Sequence, residues 1–112
     1  MLLGTEAGAR LRERLRAQAG RQEFAYSVIT WFELCVKPDQ REAARAMLSG
    51  FAAIPVSIHV AERASEIFEE HLWANRRHIP DALIAATAIL SGARLWTCNE
   101  RDFKRIPGLR LF

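Results

Sequence analysis

The sequence predicts an α/β fold in which a mainly parallel β-sheet lies between helical layers. Three observations carry that prediction. Short β-prone runs alternate with segments of helical periodicity. Pro38, Pro80, Gly20, Gly50 and Gly92 stand at the joints between them. Residues 82–90 are apolar on nearly every side, which is the pattern of a helix buried between other elements.

The elements follow in order. Residues 5–19 place Ala7, Leu11 and Leu15 at helical spacing with Arg and Glu between them, and Gly20 lies where such a helix stops. Residues 24–28 form a β-prone run, after which Thr30 can cap a helix that Pro38 ends. Asp39 is the expected cap of the next helix, whose inner stripe is Ala43, Ala44, Met47, Leu48 and Phe51. Residues 54–57 read as a short strand feeding a long helix from about His59 to Asn75, with Val60, Ala64, Ile67, Phe68, His71 and Leu72 on one face. The buried helix comes next, from Asp81 to Gly92. Residues 94–98 and 109–112 read as closing strands.

Size and composition narrow the function classes. The chain has 112 residues, about one domain's length, and we treat 1–112 as one unit because no linker, repeat or low-complexity tract divides it. Half the residues are apolar and 26% are charged, so the composition is that of a folding chain. Cys35 and Cys98 form no CxxC or Cys/His ligand pattern and read as free, buried thiols of a reducing compartment. No apolar stretch approaches the roughly 20 residues of a membrane helix, and the first residues do not form a secretory signal. A cytoplasmic protein is expected. The net charge is only +3, although the cations are almost all Arg and five of them crowd residues 10–21. A solvated helix face and a phosphate-binding surface both fit that cluster.

Familiar catalytic motifs are absent: there is no GxGxxG, no GxxxxGK[ST], no HExxH and no GxSxG. His59, His71 and His78 are scattered and read as surface or helix-face residues. The aromatic residues read as core or interface. The acids are more informative. Glu33 stands among Trp31, Phe32, Leu34, Cys35 and Val36, where a carboxylate is costly unless paired or bound to a cation. Asp81 and Asp102 lie near junctions of strand and helix, and ligands of parallel sheets bind at the carboxyl ends of the strands. Each acid also has a plain structural role open to it: Asp81 as a helix cap, Asp102 in an Asx turn, Glu33 paired with Lys37. Converging carboxylates without Cys or His would suit Mg²⁺ or Mn²⁺.

Three blocks resemble one family. Ser27-Val28-Ile29-Thr30-Trp31-Phe32-Glu33-Leu34, Ile79-Pro80-Asp81-Ala82-Leu83-Ile84-Ala85-Ala86-Thr87-Ala88 and Thr97-Cys98-Asn99-Glu100-Arg101-Asp102-Phe103 look like motifs of the PIN-domain ribonucleases, in particular the VapC-type toxins of bacterial toxin–antitoxin pairs. The resemblance runs from about residue 4 to the end. It implies a PIN-like three-layer α/β/α domain and a metal-dependent endoribonuclease. It also implies that Glu33, Asp81 and Asp102 hold Mg²⁺ or Mn²⁺, while Thr97 and Asn99 orient ligands or phosphate around them. Arg76, Arg77, Lys104 and Arg105 flank the motifs and are candidates for RNA contacts, with a solvated rim as the alternative. The implied partners are a cognate antitoxin, an RNA substrate and a second copy in a homodimer.

One block of the family pattern is missing. Members begin with a strand ending in a motif like D-T-[NS]-x-L-I, whose strand is central and whose Asp is the first metal ligand. Met1-Leu2-Leu3-Gly4-Thr5 does not match it. The first central strand is therefore expected to be absent, and 1–112 to be an N-terminally truncated domain. A late-assigned start codon, a decayed copy and a sheet completed by another molecule are all open. So are two functions: an active ribonuclease, or a catalytically inactive module that only binds antitoxin or RNA.

Overall fold

The computed structural model describes residues 2–3, 24–72, 76–97 and 99–112. The expected helix over 5–19 and the residues Trp73 and Cys98 lie outside the described residues.

Four short strands form one sheet in the order β3-β2-β1-β4, with β1 at Leu2–Leu3, β2 at Ala25–Ser27, β3 at Ala52–Ile54 and β4 at Leu95–Trp96. Every pairing is parallel. Leu111 adds a parallel bridge to Leu95, anchored by Leu95 N–H to Arg110 O and Phe112 N–H to Leu95 O. The central strand is thus present, contrary to expectation. Leu2 and Leu3 pair with Ala25 and Tyr26 on one side and with Leu95 and Trp96 on the other. A motif search misses so short a strand because two leucines carry no alternation and no turn signal. Gly4 follows β1 in the sequence, so the family's Asp does not stand there.

The helices are α1 at Val28–Cys35, α2 at Arg41–Leu48, α3 at Ile58–Ile67, α4 at Ile79–Ser91 and α5 at Glu100–Phe103. Single 3₁₀ turns precede α2 (Pro38–Gln40) and α4 (Arg76–His78), and a π turn at Phe68–Leu72 extends α3. Several ends differ from the sequence reading. Ser27 rather than Thr30 caps α1, accepting a hydrogen bond from Ile29 N–H at 3.1 Å; Thr30 is instead fully buried. Asp39 caps nothing: it lies exposed inside the 3₁₀ turn, which Pro38 opens. The third strand lies at 52–54 rather than 54–57: Ala52 and Ala53 pair with Ala25 and Tyr26, and Ser57 is taken as the cap of α3, accepting from Val60 N–H at 3.2 Å. Ser57→Ala should lower stability by about 1 kcal/mol, read from the urea midpoint.

The pleat of the sheet separates two cores, which makes the three layers explicit. Leu95 joins Val60, Ala64 and Ile67 of α3 and the buried residues of α4. Its neighbour Trp96 points the other way, into a cluster with Tyr26 and Leu48 that is flanked by Phe24, Trp31, Leu34, Met47 and Phe51. Most aromatic residues are accordingly core, as in the Phe24–Phe51 edge contact and the Tyr26–Trp31 stack, although Phe32 is exposed. Cys35 is a free, half-buried thiol.

The pairing of α3 with α4 is the most extensive between helices. Ala82, Ala85, Ala86 and Ala88 let the α4 backbone come close, and Thr87 satisfies its buried hydroxyl by donating to Leu83 O at 2.7 Å. Gly92 ends α4 in the left-handed region, with φ +68°, while Ala93 N–H returns to Ala88 O at 3.0 Å. This is a Schellman cap. A Cβ on Gly92 would meet nothing within 4 Å. Gly92→Ala should therefore cost only the backbone penalty, about 1 kcal/mol in equilibrium unfolding.

Candidate metal centre

In a parallel sheet with helical crossovers, each helix runs back against the strands. Helix α4 leads into the start of β4, so its N-terminus lies at the carboxyl edge of the sheet. The chain that leaves β4 at Trp96 reaches the same edge. This topology brings Asp81, in the first turn of α4, to Asp102 of α5.

His78 joins them. One ligand atom from each of His78, Asp81 and Asp102 lies within 4.8 Å of the other two, and all three side chains are half-buried. The carboxylate of Asp81 accepts a hydrogen bond from His78 Nδ1 at 2.8 Å, with the two side chains 24% and 13% exposed. His78 is the residue before α4 and Pro80 lies in its first turn, so the ring and the acid are held on one stiff corner. Asp81 does not cap the helix; it stands three residues inside, where a carboxylate still favours the positive end of the helix dipole.

Asp102 is held from its own loop. Asn99 Nδ2 donates to Asp102 Oδ2 at 2.7 Å, and Thr97 Oγ1 accepts from Asn99 N–H at 3.0 Å. Buried Thr97 thus shapes the turn that presents Asn99, and Asn99 orients the acid.

The structure therefore brings together two of the three acids singled out in the sequence. Glu33, half-buried on α1, is not in the 4.8 Å set. Its helix leaves β2, and β1 separates β2 from β4, so about 10 Å of sheet lies between the two strand ends. In the opposite sense, His78 was read as a surface or helix-face residue and is instead mostly buried against Asp81. The signal for it was the spacing His78-x-Pro80-Asp81, which puts an imidazole and a carboxylate on one corner. Arg76 and Arg77 are exposed in the 3₁₀ turn before His78, and Lys104 and Arg105 are exposed just after α5.

The donor set fits a divalent cation. Metal–ligand bonds of about 2.0–2.2 Å place neighbouring donors about 3 Å apart and opposite ones about 4.3 Å apart; His78 and Asp81 stand 2.8 Å apart and all three atoms lie within 4.8 Å of one another.

Residues 1–109 match the sequence profile of the PIN domain. The chain belongs to the PIN domain family. No curated protein matches this PIN domain, but solved structures do. It is 32% identical to a chain of a toxin–antitoxin complex from Klebsiella pneumoniae, with a TM-score of 0.73, covering 96% of this chain and 93% of that one. It is also similar to VapBC2 from Rickettsia felis bound to a DNA fragment from its promoter: 27% identity, TM-score 0.74, 99% and 96% covered. DNA-bound VapBC from Salmonella typhimurium is similar at 25% identity, with a TM-score of 0.73 and coverage of 99% and 95%. The parallel sheet between helical layers is thus that of a PIN domain, and its described residues include a His/Asp cluster capable of coordinating a divalent metal.

Proposed function

We propose that this PIN domain is a divalent-metal-dependent endoribonuclease, the toxin of a toxin–antitoxin pair, that hydrolyses RNA phosphodiester bonds. The observation that carries this reading is the meeting of Asp81 and Asp102 with His78 at the sheet's carboxyl edge. Asp81 and Asp102 would hold the ion, Mg²⁺ or Mn²⁺, and Glu33 of α1, outside their 4.8 Å set, would act on it from a distance as the third acid. The ion, when bound, polarises the phosphodiester and activates water. Before the ion binds, the protein's own groups set the positions: His78 holds Asp81, Asn99 holds Asp102, and Thr97 holds the turn that carries Asn99. Arg76, Arg77, Lys104 and Arg105 are exposed and flank the two acids in the sequence, and would take the phosphates either side of the cleaved bond.

The implied partners are an antitoxin, RNA and a second copy of the chain, and the expected location is the cytosol. Kinship with proteins seen in toxin–antitoxin complexes supports the first. So does an exposed apolar stripe on α1, where Val28, Phe32 and Val36 follow one another at four-residue intervals. Among the described residues no helix is long and apolar enough to cross a membrane.

RNA incubated with the protein should be cut in Mg²⁺ or Mn²⁺ and left intact in EDTA, and intact RNA in every condition would reject the enzyme. A catalytically inactive module that binds antitoxin or RNA is the second reading, favoured by Gly4, which offers no carboxylate after β1. The double variant Arg76→Ala/Arg77→Ala is expected to weaken binding of single-stranded RNA several-fold and to flatten the plot of log K against log salt by about 0.7 per lost phosphate contact, about 1.4 for both. An unchanged slope would remove both residues from the RNA surface.

A further inference from the structure

The donors of this site are mixed in kind: one imidazole nitrogen and two carboxylate oxygens. We infer that His78 is itself a ligand of the bound ion, and that it makes the site select Mn²⁺ and later first-row divalent ions over Mg²⁺. The inference rests on the reading of this cluster as a divalent-metal site and deepens it by naming the ion class.

The geometry favours direct ligation. His78 Nδ1 lies 2.8 Å from Asp81 Oδ2, close to the separation of two donors sharing one ion, about 3 Å. Ligation through Nδ1 would leave the ring proton on Nε2, so that the ring nitrogen and the carboxylate could both serve one cation. The ring is only 13% exposed and sits on a corner that Pro80 stiffens, so it loses little freedom when it ligates. Asp102 is steered by Asn99 toward the same point.

The chemistry then sets the selectivity. Mg²⁺ is hard, prefers oxygen in a strict octahedron and dehydrates reluctantly. Imidazole best suits Fe²⁺, Ni²⁺, Cu²⁺ and Zn²⁺, and affinity for nitrogen sites rises along the first row from Mn²⁺, which is softer than Mg²⁺ and takes a nitrogen donor more readily. A neutral ring among the donors also adds none of the negative charge on which Mg²⁺ depends. The contrasting role for His78 is that of an outer partner that orients Asp81 by hydrogen bonding. Its loss would then weaken binding of every ion alike.

Calorimetric titration of the full chain with Mg²⁺ and with Mn²⁺ separates these roles. The wild type should bind Mn²⁺ at least about tenfold more tightly than Mg²⁺. His78→Ala should weaken Mn²⁺ binding at least tenfold and Mg²⁺ binding less than about threefold, whereas His78→Asp should bring the two ions close to parity. Electron spin-echo spectra of the Mn²⁺-loaded wild type should show ¹⁴N coupling, a measurement that stands even if a variant does not fold. Equal losses of both ions in His78→Ala, or a Mn²⁺-loaded wild type without ¹⁴N coupling, would overturn the ligation of His78 and leave the metal site standing. A folded wild type that binds neither ion would overturn both, and RNA cleavage is not needed to decide between them.

Discussion

Asp81→Asn should reduce Mn²⁺ affinity and RNA cleavage at least about 100-fold, because loss of an outer partner alone costs 10–100-fold and this change removes a carboxylate from the donor set itself. The substitution is nearly isosteric. It keeps the side chain's size and a carbonyl oxygen for His78 but discards the negative charge. Asp81 is the acid to test because it belongs to two arrangements at once, the hydrogen bond to His78 and the approach to Asp102. Folding should survive: a carboxylate in the first turn of a helix contributes about 0.3–1 kcal/mol through the dipole. Calorimetry, a cleavage assay and a urea titration on the same sample therefore give a clear reading. Loss of binding with stability kept within about 1 kcal/mol assigns the metal to this corner. Unchanged Mn²⁺ binding would place the ion elsewhere.

Ile84→Ala should destabilise the fold by about 3 kcal/mol, within the 2–5 kcal/mol usual for truncating a buried Ile. Ile84 is 1% exposed and belongs to the core formed by α3, α4 and β4. Its neighbours on α4 are mostly alanines, so no long side chain can swing in to fill the space left behind. For a domain of this length, 3 kcal/mol lowers the melting temperature by roughly 10–15 °C. Leu90→Ala, on the same helix at a side chain 50% exposed, is the control and should cost less than about 1 kcal/mol. Similar losses for the two would contradict the burial of Ile84 and the exposure of Leu90. Because α4 carries Asp81, the Ile84 variant should lose metal affinity only in proportion to the fraction unfolded.

The legible parts of this protein were those that local chemistry dictates. Helix α4 could be read from its continuous apolar run and from Gly92, which the structure places at φ +68°. The inner stripe of α3 could be read from the spacing of Val60, Ala64 and Ile67, all buried. The acids Asp81 and Asp102 stood out because they sit at junctions near strand ends. Helix starts were less legible. Ser27 and Thr30 are both capping residues three positions apart, and which one caps depends on where β2 stops pairing with β1 and β3.

Two features needed the tertiary structure. Strand β1 is two leucines long and has no signature of its own; it is a strand because β2 and β4 offer it hydrogen bonds on both sides. The donor set was likewise decided in space. Glu33 was conspicuous in sequence for its apolar neighbours, yet β1 lies between its strand and β4, and its carboxylate is not among the three that meet. His78 was inconspicuous in sequence and is brought against Asp81 by the turn before α4. The sequence by itself determined the α/β class, the family and two acids, because periodicity, caps and motif spacing act over a few residues. The turn before α4 sets His78 against Asp81 locally, whereas strand order and the approach of two loops bring that pair to Asp102, more than twenty residues on in the chain.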